Sequence, residues 1–394
     1  MSNIRNVGDK GYFFIISTRW YGALSVCQLI IDHLVENGYK IIVFGQVDDK
    51  YKPYFKENCT LVEINMKRSY FSFGSDLVDL FKLCSMTIKY KPVGIYSLNP
   101  KPILFSAILA RVAPKSKLFL CVTGLGNTFI KQPKLEPIIS KLTQLAGRRS
   151  SGAFFLNPED AQLFIDKNIV SKEKVHWFIG PGVDLRKYAV KSDTFSEDHS
   201  KRIVIICAAR LIWQKGIEEF VESARLLKIK YESEYTLEFR LFGEFDDEHP
   251  DGVPREYIQS AVEDKVIFHC EWSEDMVQEF ANADINVLHS YREGAPRAIL
   301  EASATGLPSV GADAVGVREL IIHGKTGFLT TLQDIDAQVD ALSKLIESAK
   351  LRFEFGQHAR ANIAEKYSLS KASEAQLDVF RNGGLQLSKL EIDA

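Results

Sequence analysis

The chain has 394 residues, of which 46% are hydrophobic and 25% are charged, and its formal net charge at pH 7 is −2. This length accommodates two or three domains, and the composition is that of a globular protein, which excludes fibrous and intrinsically disordered chains. No apolar run approaches the roughly 18–20 residues of a membrane-spanning helix, and the first residues do not have the basic-then-apolar layout of a signal peptide.

Short apolar strands alternate with amphipathic helices through the first half of the chain. This alternation predicts a parallel, doubly wound sheet that helices cover on both faces. The predicted strands are 11–16, 40–44, 61–64, 93–97, 117–122, 153–156 and 175–178, and the predicted helices are 24–36, 77–90, 103–111, 138–148 and 158–167. The Gly- and Pro-containing segment 180–184 and the polar stretch 191–201 then predict a domain boundary.

A second series of the same kind follows the boundary. Its predicted strands are 202–208, 235–242, 265–268, 285–288 and 308–311, and its predicted helices are 216–227, 254–262, 274–281, 297–305, 335–348 and 350–366. A further apolar element, 317–322, overlaps a predicted turn at 316–319. The fold class is therefore α/β, with two Rossmann-like domains, 1–183 and 184–367. Ligands of such sheets bind beyond the carboxyl ends of the strands, so we expect the two domains to face each other across a ligand-binding cleft.

The most informative motif of the chain follows the predicted strand 285–288. The order of residues indicates a strand, a turn over Glu293–Pro296 and a helix, with Pro296 predicted at the first helical position. The free N–H groups of such a helix start bind hydroxyl or phosphate oxygens. Glu293 and Glu301 could both flank one polyol ligand, a sugar or a ribose, whereas a solvent-exposed salt bridge is the alternative for Glu301.

A second motif follows the predicted strand 202–208. Arg210 ends this strand, and Lys215 closes the loop just before a helix at Gly216. Two cations and a helix N-terminus at the carboxyl end of a strand suit a diphosphate, because charge-assisted hydrogen bonds contribute about 1.5–3 kcal/mol each. The alternative is that Arg210 pairs with a carboxylate and that Lys215 is solvated.

Together the two motifs resemble those of the family-four retaining glycosyltransferases, which have the GT-B fold. The family's Arg-x4-Lys-Gly motif matches Arg210, Lys215 and Gly216, and its Glu-x7-Glu motif matches Glu293 and Glu301. The resemblance implies that Arg210 and Lys215 bind the diphosphate of a nucleotide-sugar donor and stabilise its charge as it leaves.

The resemblance also assigns the remaining donor contacts. Glu293 and the amides after it would hold the sugar hydroxyls, and Glu301 the ribose. The donor-binding residues of this turn are Gly294, Ala295, Pro296 and Arg297. The implied reaction retains the anomeric configuration and requires no metal or other cofactor, and we favour UDP over GDP as the nucleotide.

Two further features are similar to bacterial enzymes that add sugars to undecaprenyl-diphosphate-linked oligosaccharides for glycan, capsule or O-antigen assembly. These are Trp213 and the sequence of residues 122–126, where many relatives carry a His that is absent here. The donor-binding candidates of this segment are Thr123 and Gly124, and Gly126 is a further site candidate.

The resemblance bears on both ends of the chain as well. In the family, the loop at 17–22 approaches the diphosphate, which makes Gly22 a donor-site candidate and Arg19 a possible contact of an acceptor phosphate. Residues from about 368 to 394 are expected to pack back on the N-terminal domain.

Charge is distributed unevenly along the chain. Residues 1–150 contain 21 Lys and Arg against 10 Asp and Glu, a balance of +11, whereas residues 151–394 have a balance of −13. A basic half favours an anionic partner, and no nucleic-acid-binding motif accompanies it. The basic amphipathic segment 131–149 predicts peripheral docking at the inner face of the cytoplasmic membrane, with a core-facing helix as the alternative.

Other candidate sites are discounted. Asp246 and Asp247 lack the spacing of a metal-binding DxD motif and are interpreted as a solvated loop, and His289 as a packed strand residue. The cysteines have no metal-ligand spacing and are expected to be buried free thiols in a reducing cytoplasm. They are Cys27, Cys59, Cys84, Cys121, Cys207 and Cys270.

Two other functions remain open at this point. A sugar-nucleotide 2-epimerase on the same fold would turn over without an acceptor. A non-catalytic, two-lobed sugar-binding protein would normally be exported, which the start of the chain does not indicate.

Overall fold

The computed structural model describes residues 10–55, 59–66, 73–124, 136–177, 180–188, 201–247, 249–271, 273 and 275–388. The chain divides into two compact units, residues 1–181 with 370–394 and residues 182–369. Each unit contains one parallel sheet. No helix within the described ranges is long and apolar enough to cross a bilayer.

The sheet of the first unit has seven strands over the described residues, in the order β3-β2-β1-β4-β5-β6-β7. The strands are β1 (Tyr12–Arg19), β2 (Lys40–Gln46), β3 (Cys59–Val62), β4 (Gly94–Leu98), β5 (Lys117–Val122), β6 (Gly152–Phe155) and β7 (Val175–Trp177). The helices are α1 (Trp20–Glu36), α2 (Phe73–Tyr90), α3 (Pro100–Val112), α4 (Glu136–Arg149) and α5 (Pro158–Asp166). A last helix of the chain, α12 (Leu369–Asn382), also packs here.

The apolar runs of this unit form its core. Residues 13–17 of β1 are all buried, as expected of a central parallel strand that helices cover on both faces. Helix α12 contributes Phe380, whose ring centroid lies 4.7 Å from that of Phe119 and 5.5 Å from that of Phe154. The C-terminal helix is therefore an integral part of the first unit's core.

The sheet of the second unit has six strands over the described residues, in the order β10-β9-β8-β11-β12-β13. The strands are β8 (Arg202–Ala208), β9 (Thr236–Phe242), β10 (Phe268–Cys270), β11 (Ile285–Leu288), β12 (Ser309–Ala312) and β13 (Gly327–Thr330). The helices are α6 (Ile217–Lys230), α7 (Arg255–Glu263), α8 (Met276–Ala281), α9 (Arg297–Ala304), α10 (Ile335–Glu347) and α11 (Ala349–Lys366).

Both sheets reverse their strand order at one point, between β1 and β4 in the first unit and between β8 and β11 in the second. The chain leaves these two neighbouring strands in opposite directions, which opens a crevice at their carboxyl ends where ligands of doubly wound sheets bind. Strands β8 and β11 are directly hydrogen-bonded, with Ile205 opposite Ile285. The loops that follow β8 and β11 therefore start side by side.

Several predicted elements differ from the structure. Helix α1 begins at Trp20, so Gly22 lies in its first turn rather than in a loop. Trp20 is buried and its indole N–H donates to the carbonyl of Phe44 at 3.2 Å, which anchors the start of the helix. Residues 315–320 form turns, which agrees with the turn predicted at 316–319, and β13 is a strand that the sequence did not predict.

The cysteines only partly match the expectation of buried thiols. Cys27, Cys121 and Cys207 are buried free thiols, and burial raises the pKa of Cys207 to about 12. Cys59 and Cys84 are half-buried, and the prediction is wrong for Cys270, which is exposed. Cys270 ends the short strand β10, which lies at the edge of the sheet that the described residues form and pairs there with β9.

Two buried histidines predict how stability depends on pH. Burial lowers the pKa of His33 and of His289 to about 4, against about 6.5 in the unfolded chain. Each of these histidines thus binds a proton more weakly in the folded protein than in the unfolded chain. Their contribution to the free energy of unfolding is therefore complete above about pH 6.5 and is lost as the pH falls toward 4. We expect each group to lower the free energy of unfolding by about 2 kcal/mol between pH 7 and pH 5.

Urea unfolding at the two pH values measures this loss. The substitution His289→Asn should reduce the pH dependence of the second unit, whereas His358→Asn, at an exposed position of α11, should not change it. Equal free energies of unfolding at pH 7 and pH 5 would contradict the prediction.

Candidate functional site

The loops after β8 and β11 bring a cation and a carboxylate together. The Nζ of Lys215 donates to the Oε1 of Glu293, and the two side chains are only 15% and 14% exposed. The structure therefore joins the two sequence motifs in one site at the point where the strand order reverses. The alternative that Lys215 is solvated is wrong for this structure.

Gly216 allows this close approach. It has a φ of +74°, in the left-handed region, and a Cβ at this position would lie 2.4 Å from the carbonyl oxygen of His289. The neighbouring N–H of Tyr291 donates to the carbonyl of Gln214 at 2.9 Å. A residue with a side chain at position 216 would push the Lys215 loop away from the end of β11.

We predict that Gly216→Ala lowers the free energy of unfolding by about 2–4 kcal/mol, because left-handed backbone strain adds to a contact with main-chain atoms. Gly324→Ala is a matched control, since Gly324 has a φ of +72° but a Cβ there would meet no described atom within 4 Å. We expect the control to lose only about 1 kcal/mol. Urea unfolding measures both values, and equal losses would contradict the role given to the contact with His289.

The main chain of Glu293 is held on its other side by the turn after β12. The N–H of Glu293 donates to the carbonyl of Val315 at 2.8 Å. Gly316 has a φ of +86°, and a Cβ there would lie 2.4 Å from the carbonyl oxygen of Glu293. The N–H of Gly316 donates to a carboxylate oxygen of Glu319 at 2.6 Å, which fixes this turn. Both glycines therefore position the Lys215–Glu293 pair.

Helix α9 begins at Arg297, where the predicted helix 297–305 starts, but Pro296 lies just before the helix rather than at its first position. Pro296 is the N-cap, with an extended ψ of 113°, and its carbonyl accepts the N–H groups of Ile299 and Leu300. Gly294 and Ala295 precede it and are half-buried. The turn thus presents the N-terminal end of a helix, with its partial positive charge, directly after Glu293.

Glu301 is held within the same unit. It is 7% exposed, and its Oε1 accepts from the Nε and Nη2 of Arg297 at 2.9 and 2.6 Å. Buried Tyr188 lies beside Glu301, and burial together with the Glu301 carboxylate raises the pKa of its hydroxyl. Glu301 therefore forms a salt bridge, as the alternative interpretation stated, but its carboxylate is buried rather than exposed to solvent. Tyr188 lies far from the motif in sequence, and no pattern pointed to it.

Arg210 pairs with Asp246, as the alternative interpretation stated. Its Nη1 donates to Oδ2 of Asp246 at 3.1 Å, and the Arg210 side chain remains 39% exposed. The interpretation of Asp246 as a solvated residue is wrong, because its side chain is only 13% exposed. Residue pairs 211/245 and 212/252 form bridges that draw the 245–252 loop onto the strand end.

The interpretation of His289 as a packed residue agrees with the structure. His289 is 1% exposed, and its Nε2 lies 3.1 Å from the carbonyl oxygen of Thr331. Across the described part of the chain, no group of three His, Cys, Asp or Glu side chains could hold a metal ion.

A polar cluster lies where the strand order reverses in the first unit. The Oγ1 of Thr123 donates to Oδ1 of Asn99 at 2.6 Å, and Nδ2 of Asn99 donates to Oγ of Ser17 at 3.4 Å. Asn99 has a φ of +72°, which is strained for a residue with a side chain. Gly124 follows with a φ of +151° and no described atom within 4 Å of a Cβ built on it. Gly126 lies outside the described residues.

The basic segment 131–149 is described only from residue 136 onward, and the backbone alone is described for residues 136–138. In helix α4, Ile139 and Ala146 are buried, whereas Lys141, Arg148 and Arg149 are exposed. The described part of this helix therefore has a core-facing apolar side and a basic outer side. Membrane docking through this segment stays a prediction.

Comparison with known proteins identifies the class to which this site belongs. Residues 191–362 match the family model described as "Glycosyl transferases group 1". The HepE protein of Anabaena in complex with UDP and glucose has a TM-score of 0.73 and 18% identity, covering 94% of this chain and 99% of that one. This likeness shows that the fold is GT-B. The chain carries a group 1 domain and is a glycosyltransferase.

Two curated relatives cover most of the chain. One is the N,N'-diacetylbacillosaminyl-diphospho-undecaprenol alpha-1,3-N-acetylgalactosaminyltransferase of Campylobacter jejuni, 29% identical over 73% of this chain and 76% of that protein. The other is the UDP-Gal:alpha-D-GlcNAc-diphosphoundecaprenol alpha-1,3-galactosyltransferase of Escherichia coli, 26% identical over 78% of this chain and 80% of that protein.

Proposed function

We propose that this glycosyltransferase moves a hexose or N-acetylhexosamine from a UDP-sugar to a lipid-diphosphate-linked glycan. The observation that carries the proposal is the contact between Lys215 and Glu293, where the strand order of the second sheet reverses. A cation for the diphosphate and a carboxylate for the sugar hydroxyls lie next to each other there. The names of both curated relatives support a diphosphoundecaprenol-linked acceptor.

The proposed mechanism uses charge stabilisation. Lys215 and the exposed guanidinium of Arg210 contact the diphosphate and stabilise the negative charge that grows as the bond to the sugar breaks. Glu293 exchanges its contact with Lys215 for the sugar hydroxyls, which are neutral donors, and Glu301 accepts from the ribose. We propose that the reaction retains the anomeric configuration and needs no metal ion.

The acceptor is proposed to bind to the first unit, in which residues 1–150 have a charge balance of +11. An excess of positive charge attracts a diphosphate-linked acceptor and an anionic membrane surface. We further propose peripheral association with the inner face of the cytoplasmic membrane and a role in surface-polysaccharide or glycan assembly.

The test combines the purified protein with UDP-galactose, UDP-N-acetylgalactosamine, UDP-glucose or UDP-N-acetylglucosamine and with undecaprenyl-diphosphate-linked N-acetylglucosamine or diacetylbacillosamine. Mass spectrometry of the lipid fraction should show the addition of one sugar in at least one combination. A change of the UDP-sugar into its 2-epimer without acceptor would instead assign an epimerase. Tight UDP-sugar binding with no product from any of these acceptors would contradict the proposed acceptor class.

A further inference from the structure

Helix α2 (Phe73–Tyr90) has the reverse of the polarity expected for a surface helix. Its two carboxylates, Asp76 and Asp79, are only 9% and 5% exposed. Four of its exposed side chains are large and apolar: Leu77 at 69%, Val78 at 67%, Phe81 at 77% and Ile88 at 62%. Burying charge while exposing large apolar groups is costly in water, so this arrangement indicates that the outer face has another environment.

The inward side of α2 holds its two carboxylates against other segments of the first unit. The Oδ1 of Asp76 lies 2.5 Å from the Nζ of Lys101, which is itself 7% exposed, at the start of α3. The Oδ1 of Asp79 accepts the N–H of Asn65 at 3.2 Å, and burial raises the pKa of Asp79. The charges of α2 are therefore integrated into the fold, and the helix cannot simply rotate to bring its apolar side inward.

The outward side combines apolar and basic residues. With about 100° between successive residues of a helix, the four apolar side chains occupy an arc of about 100°, and Lys82 and Lys89 border one edge of this arc. The exposed positions of α2 contain no Asp or Glu. Lys82 donates to the carbonyl of Glu63 at 2.8 Å, and the Nζ of Lys89 lies 5.0 Å from the ring centroid of Tyr90. We call the residues 77, 78, 81, 82, 88 and 89 the α2 face.

We propose that the α2 face rests in the interface of an anionic lipid bilayer, with its apolar side chains between the headgroups and its two lysines against lipid phosphates. An apolar stripe bordered by lysines is the pattern of helices that lie in a membrane surface. Such a face matches an anionic surface in charge. Self-association about a twofold axis would instead bring the same basic face of two copies together. The inference rests on the proposed function, because a lipid-linked acceptor is presented at such a surface.

The test is flotation of the full-length protein with two kinds of vesicles, phosphatidylcholine alone and an equal mixture with phosphatidylglycerol. We expect wild-type protein to float with the mixed vesicles. The double variant Leu77→Gln/Phe81→Gln should bind them at least about tenfold more weakly. The variant Lys82→Gln/Lys89→Gln should lose on the order of tenfold on mixed vesicles and nothing on neutral ones. Ile229→Gln is the matched control, because Ile229 is an apolar residue of α6 that is 72% exposed.

The outcomes separate this inference from the proposed function. Transfer to a water-soluble acceptor that carries the same diphosphate and sugar on a short chain should be equal in wild type and both double variants. Wild-type protein that transfers sugar but does not float overturns the α2 inference and leaves the proposed function intact. Wild-type protein that floats with the mixed vesicles but transfers no sugar supports the α2 inference and overturns the proposed function. Wild-type dimers that the Leu77→Gln/Phe81→Gln variant converts to monomers, without an effect on flotation, would assign the α2 face to a second copy and overturn the proposal.

Discussion

Replacing Lys215 with alanine is expected to lower kcat for sugar transfer by on the order of 10³-fold, because the leaving diphosphate loses a cation that is almost withdrawn from water. The Lys215 side chain is 15% exposed and sits against Glu293 at the end of β11. Measuring kcat and KM for the UDP-sugar tests this directly. A loss confined to KM would mean that the lysine binds ground state and transition state equally.

The fold is not expected to limit this experiment. Lys215→Ala leaves the Glu293 carboxylate without that partner, which costs about 1–3 kcal/mol of stability, so unfolding in urea should be measured beside activity. Lys350→Ala is the matched control, because Lys350 is 73% exposed on α11 and faces Glu354 at 3.8 Å. Equal losses of activity in both variants would contradict a specific role of Lys215.

Replacing Glu293 with glutamine should distinguish a contact with the donor sugar from a contact with the nucleotide. We expect kcat/KM for transfer to fall by on the order of 10²-fold, because a neutral amide binds sugar hydroxyls less well than a carboxylate does. Binding of UDP alone should be unchanged or up to about tenfold tighter, because the substitution removes a negative charge that now contacts Lys215. Calorimetric titration with UDP and steady-state kinetics measure the two effects.

A fall in transfer without any weakening of UDP binding makes this prediction specific. Glu354→Gln, on the exposed side of α11, is the control and should alter neither quantity. Weaker binding of UDP to Glu293→Gln would place the carboxylate at the nucleotide rather than at the sugar.

The joining of Lys215 to Glu293 could be predicted because it follows from topology. Both residues follow apolar strands, and the alternation of strands and helices predicts a doubly wound sheet in which such loops meet. The structure also explains why the two loops approach so closely. Gly216 leaves room for main-chain atoms of His289, and Gly316 leaves room for main-chain atoms of Glu293. A sequence shows that a glycine is present, but it does not show which atom would clash with a Cβ at that position.

Other contacts depend on tertiary packing and could not be predicted. Asp246 reaches Arg210 because bridges at residues 211/245 and 212/252 fold one loop onto another. Tyr188 meets Glu301 from a segment more than a hundred positions away in sequence. The periodicity of α2 shows an apolar and a charged side but not which of the two faces the core, because burial of Asp76 depends on Lys101 from another helix.

A crystal structure of the protein with UDP tests the central claim most directly. The account predicts the two phosphates at the carboxyl ends of β8 and β11, with oxygens in hydrogen-bonding distance of the Lys215 Nζ and the Arg210 guanidinium, and the ribose hydroxyls at Glu301. It also predicts that Lys215 turns from Glu293 toward the phosphates. Phosphates bound elsewhere, with the Lys215–Glu293 and Arg210–Asp246 pairs unchanged, would contradict the account.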